Sequence, residues 1–131
     1  MDKELNKKEK LVKSYFKKWM RSLGLLWWSI TIHYYDDPDS ILEIFKSQDE
    51  GRVIFARTMV DWKYAQATIQ VNLLAMKTMD GDEIERAVVH ELCHILVNEM
   101  REDEIHHEER VVTGLQKAFM WVAGESGKIA L

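Results

Sequence analysis

The chain has 131 residues, enough for one modest core, with 47% hydrophobic and 31% charged residues and a net charge of −4. That balance excludes collagen-like and wholly disordered chains and leaves no global basic footprint for nucleic acid. No apolar run approaches a membrane span, Met1-Asp2-Lys3-Glu4 lacks the apolar core of a signal peptide, and one cysteine excludes an internal disulfide. The expectation is a single cytoplasmic domain over residues 1–131, with no membrane or nucleic-acid partner.

Residues 3–22 read as a helix. Leu11, Val12, Tyr15, Phe16, Trp19, Met20 and Leu23 recur at spacings of three and four, while Lys7, Lys8, Lys10, Lys13, Lys17 and Lys18 fill the other, solvated face. Gly24 stops it as the residue just past the last turn. Leu25 to Tyr35 is dense in aromatic and β-branched side chains and reads as a strand, broken by Asp36-Asp37-Pro38-Asp39. A short helix over 41–46, capped by Asp39 or Ser40, and a turn at Gln48-Asp49-Glu50-Gly51 follow. Residues 52–61 and 65–73 alternate as second and third strands, and Trp62-Lys63-Tyr64 turns the chain between them. Trp19, Trp27, Trp28 and Trp62 are expected mainly in the core, and His33 as a structural residue.

Asp80-Gly81-Asp82 precedes the next helix, and either aspartate can cap it. That helix carries His90-Glu91-Leu92-Cys93-His94. Positions four apart lie one above the other on a helix, so both imidazoles can reach one metal ion. Glu91, one step around, is placed to act as general base on a water that the metal polarises. Zinc suits this set because it takes nitrogen and oxygen ligands and tolerates an open fourth position. A shuffled chain of this composition would carry the motif roughly 2% of the time, so the context matters. Ile84, Ala87, Val88, Val89, Ile95, Leu96 and Val97 make the helix apolar on most sides, and polar groups on a buried helix need partners. Cys93 lies about 100° around the axis from His94 and reads as a buried packing residue.

Arg101-Glu102-Asp103-Glu104 connects to a last helix over 105–123, with Val112, Leu115, Phe119 and Val122 on its apolar stripe and a loose tail over 124–131. Strands first and helices later predict an α+β domain with a small mixed or antiparallel sheet of about three strands.

Two histidines leave zinc under-coordinated. A short metzincin extension is excluded, because Val97 and Met100 stand where that pattern has Gly and His. The remaining candidates open the last helix: His106, His107, Glu108 and Glu109. Helix geometry puts Glu108 nearest the middle of the apolar stripe and Glu109 on its flank.

At this point the chain resembles the gluzincins, and specifically the minigluzincins, the smallest zinc metallopeptidases of that clan. The matching residues are His90-Glu91-Leu92-Cys93-His94 and then Glu108-Glu109-Arg110-Val111-Val112-Thr113, within about residues 52–123. The resemblance implies a zincin-like minimal domain in which a compact sheet precedes the active-site helix and a glutamate from the next helix completes the site. It favours Glu109 as third ligand, followed by Val111, Thr113 and Leu115. Thr113 departs from the usual Asp or Asn and weakens the outer contact expected to a ligand histidine. A histidine ligand, as in SprT-like zinc proteins, keeps His106 and His107 as candidates.

The expected function is therefore a zinc-dependent endopeptidase acting on a peptide or protein, with His90, His94 and Glu109 on Zn2+ and Glu91 as catalytic base. His106, His107, Tyr64 and Arg52 are candidates for a second oxyanion donor. The strand 65–73 is the candidate docking edge. The alternatives are a non-catalytic or regulatory zinc-binding module, or a mobile-element regulatory protease with one partner protein as substrate. The resemblance also implies possible regulation by the tail after Gly124, or by self-association, filling the cleft.

Overall fold

The computed structural model describes residues 3–45, 54–98 and 108–126. Its first helix, α1 (Lys3–Ser22), follows the apolar periodicity and buries Leu5, Val12, Phe16 and Trp19. Gly24, at φ +72°, closes it. The Leu25 amide donates to the Met20 carbonyl (2.8 Å) and the Gly24 amide to the Arg21 carbonyl (3.2 Å), a paired cap that requires a left-handed residue.

β1 (Ser29–Tyr35) begins later than the aromatic run suggests. The Trp28 amide donates to the Leu25 carbonyl, so residues 25–28 form a turn. This turn buries Leu25 and Trp28 but leaves Leu26 and Trp27 exposed, so Trp27 is not a core residue. Trp62 is likewise exposed, and His33 lies on the open face of β1. α2 (Pro38–Ile44) starts before the predicted residue 41, and its cap is Asp37 rather than Asp39 or Ser40. Pro38 can open the helix because a first-turn residue needs no amide hydrogen, and the Asp37 carboxylate accepts from the Ser40 amide at 3.0 Å.

β2 (Ala56–Asp61), a single tight turn over Trp62–Tyr64 and β3 (Gln66–Asn72) follow. The sheet is three-stranded in the order β1-β3-β2. β1 runs parallel to β3, with Ile32 opposite Ile69, and β2 runs antiparallel to it, with Thr58 opposite Ile69. β3 is therefore the central strand. Its Ala67, Ile69 and Val71 are buried against the helices. The strand expected as a docking edge, 65–73, is thus paired on both sides; β1 and β2 are the edge strands, and of the two β2 packs beside α4. A short α3 (Leu73–Met76), capped by the Asn72 side chain, is not separated from the third strand by any pattern in the sequence.

α4 (Gly81–Asn98) is the spine, packed against α1, β2 and α5 (Glu108–Ser126). Its start is fixed reciprocally: the Glu83 amide donates to Asp80 Oδ1 (2.9 Å) and the Asp80 amide to Glu83 Oε1 (3.2 Å). Ile84, Val89, Leu92 and Ile95 are fully buried, each contributing about 1.5–3 kcal/mol relative to exposure. Lys18 and the Trp19 indole both donate to Glu85, at 2.8 and 2.7 Å, tying α1 to α4. α5 runs through Gly124 to Ser126 instead of stopping at the glycine. The predicted turn at 48–51, the connection at 101–104 and the last residues of the tail lie outside the described residues. Among the described residues, no helix is long and apolar enough to cross a membrane.

Candidate metal centre

On α4, His90 and His94 lie one turn apart, with ring centroids 5.1 Å apart and planes at 76°. α5 crosses over them and delivers its first residues to the same place. Glu109 reaches both imidazoles: its carboxylate oxygens lie 3.1 Å from His90 Nε2 and 2.8 Å from His94 Nε2. One donor atom from each of His90, His94 and Glu109 falls within 4.8 Å of the others.

The donor set fits zinc. Bonds of about 2.0–2.1 Å in a tetrahedron place neighbouring donors about 3.3 Å apart, so a slight opening of the observed separations admits the ion. Glu109 keeps its side chain 73% exposed, which leaves the outer side of the cluster open.

Glu108 does something different. Its Oε2 lies 2.6 Å from His94 Nδ1, the ring nitrogen that faces away from Glu109. Both ring nitrogens of His94 therefore face carboxylates, and with a metal on Nε2 the ring hydrogen would sit on Nδ1, where Glu108 would accept it. Asn98, buried at the end of α4, donates from Nδ2 to the His94 carbonyl (2.6 Å) and to Glu108 Oε1 (3.4 Å). The outer contact that Thr113 was expected to weaken is thus made from Glu108. The Thr113 hydroxyl itself forms no hydrogen bond among the described residues.

Glu91 is buried beneath the cluster and is held from the sheet. The Thr58 hydroxyl on β2 donates to Glu91 Oε1 at 2.8 Å. Burial pushes the Glu91 carboxyl above its ordinary range, while the Thr58 hydrogen bond and the two histidines pull it back part of the way. Cys93 is fully buried on the other side of α4, and burial pushes its thiol up to about 12, so it stays a packing residue as its helical angle predicts.

A cavity of about 670 Å³ lies over the cluster, between α4, the start of α5 and the β2 edge. Ile54 to Thr58 form one wall, and Arg86, His90 and His94 form another. None of Trp19, Trp27, Trp28 and Trp62 lines it. Tyr64 is 72% exposed on the turn before β3 and does not line the cavity, which removes it as an oxyanion donor. Arg52, His106 and His107 lie outside the described residues.

Thr58, Asn98 and Arg86 were missed in the sequence. Asn98 and Arg86 had a usable signal, because residues 86, 90, 94 and 98 share one helix face. Thr58 had none, since its role depends on which strand covers α4. Comparison of the chain with protein-family models, with curated proteins and with solved structures gives no significant match.

Proposed function

We propose that the protein is a zinc-dependent endopeptidase of the minigluzincin type, with His90, His94 and Glu109 holding the metal and Glu91 acting as general base. The observation that carries this reading is the convergence of two imidazole Nε2 atoms and one exposed carboxylate beside a buried glutamate, at the floor of an open cavity. A structural zinc is normally closed by four protein ligands and needs no neighbouring base, so a non-catalytic module accounts less well for Glu91 and for the open side.

Zinc, when bound, supplies Lewis-acid polarisation of the attacking water and the scissile carbonyl. Glu91 accepts the proton of that water on its carboxylate and returns it to the leaving amine. Thr58 fixes the carboxylate by donating to Oε1, so the other oxygen is free to take the proton. Glu108 and Asn98 hold the His94 ring in the orientation its Nε2 needs. The free edge of β2 offers main-chain groups to an extended peptide, which gives affinity with little sequence selectivity.

Metal content and cleavage, measured together, test the reading. Wild type is expected to hold one zinc per chain and to cleave an unstructured protein. Glu91→Gln is expected to keep the zinc and to lose activity by about 10²- to 10⁴-fold. Failure to take up zinc, or undiminished cleavage by Glu91→Gln, would overturn it.

A further inference from the structure

A second cavity of about 590 Å³ adjoins the first, between α1, α4 and α5. Arg86 of α4 and Gln116 of α5 line both, so the two meet at those side chains. Within the first cavity, every acidic side chain already has a task. Glu91 accepts from Thr58, Glu108 meets His94, and Glu109 spans both histidines. Arg57 donates to the Ile44 carbonyl. The Arg86 guanidinium forms no hydrogen bond or ion pair with any described residue.

The second cavity is close to balanced, so the free positive charge sits at Arg86, where the two cavities meet. Its Glu85 is occupied by Lys18 and Trp19. Lys117 has no ion-pair partner among the described residues, and Asp82, one turn before Arg86, does not pair with it. Met120 and Trp121 supply the apolar surface there, with Trp121 68% exposed. A large exposed indole in the same cavity as the unpaired Arg86, continuous with a candidate active site, is matched by an acidic and apolar segment.

Building on the peptidase reading, we propose that Arg86 selects peptides with an acidic side chain close to the scissile bond, and that the cavity beyond it receives an apolar side chain further along. The guanidinium presents a planar fork that pairs both oxygens of a carboxylate. Arg86 precedes His90 by one helical turn, about 6 Å along the axis, and Asp82 marks about 12 Å. An extended peptide advances about 3.3 Å per residue, so one lying along α4 would place the acidic residue about two positions from the cleaved bond, with the apolar residue beyond it.

The test is binding to the zinc-loaded Glu91→Gln protein, which does not depend on turnover. The probes are ten-residue peptides with one Glu walked through an Ala/Leu background, each paired with its Gln twin. At one position the Glu peptide should bind about five- to tenfold more tightly than its twin. That advantage should vanish in Arg86→Ala and pass to a Lys peptide in Arg86→Glu; Arg86 is exposed, so neither change should disturb folding. Equal binding of all twins, or a preference unaltered in Arg86→Glu, overturns the proposal. An Arg86-dependent preference without cleavage by the wild type supports the subsite and refutes the peptidase. Cleavage without such a preference does the reverse.

Discussion

Replacing Glu108 by alanine removes the carboxylate that faces His94 Nδ1 at 2.6 Å, in a place where the two side chains are only 12% and 25% exposed. A hydrogen bond to a charged group is worth about 1.5–3 kcal/mol, with the lower half of that range expected for partly solvated partners. Since about 1.4 kcal/mol is tenfold in a dissociation constant, Glu108→Ala should weaken zinc binding by about 10- to 100-fold. Glu108→Gln keeps an acceptor for Nδ1 but loses the charge, so its loss should be smaller. Glu109→Ala removes a donor from the cluster itself and should cost more than either. Competition against a chromophoric chelator at fixed pH reads all three, and the absorption of the cobalt-substituted protein reports whether coordination geometry is kept. The reasoning fails if Glu108→Ala binds zinc within twofold of wild type. It also fails, with the roles of the two glutamates exchanged, if Glu109→Ala retains the metal and Glu108→Ala does not.

Other consequences can be checked separately. Thr58→Val preserves shape but strips Glu91 of its 2.8 Å donor. Stability measured by urea unfolding should fall by about 1–3 kcal/mol, with kcat lowered more than KM, and Thr58→Ser should restore both. Gly24→Ala meets no atom within 4 Å, so its whole cost is the left-handed backbone at φ +72°, about 1–2 kcal/mol in the same unfolding assay. An unchanged midpoint would mean the cap relaxes without loss. Cys93 is fully buried, with its thiol pushed up to about 12. A disulfide reagent at pH 8 should therefore label it only as fast as the protein opens, and rapid labelling of folded protein would contradict the packing of α4.

What the chain determined by itself is local. A helix repeats every 3.6 residues, so the apolar periodicity around His90 and His94 was enough to put both imidazoles on one face, with Cys93 turned away and Glu91 beside them. The same locality made the stop at Gly24 legible, because a left-handed cap closes through residues within one turn. The α+β class with about three strands followed from the order of periodicities, and the mixed sheet bears it out. The strand boundaries were less legible. Residues 25–28 have strand composition, yet a turn hydrogen bond and the burial of Trp28 decide otherwise.

Tertiary structure alone decided the rest. Periodicity favoured Glu108 as the inward residue of α5, and it is indeed the less exposed of the two glutamates. Which nitrogen each one faces depends on how α5 crosses α4, a relation between segments that no spacing encodes. The order β1-β3-β2 made β2 an edge strand and brought its Thr58 under Glu91, 33 residues away in the chain. Alternation marks the two faces of a strand identically wherever it sits in a sheet, so strand order, and with it the support of the buried glutamate, becomes visible only once the strands have paired.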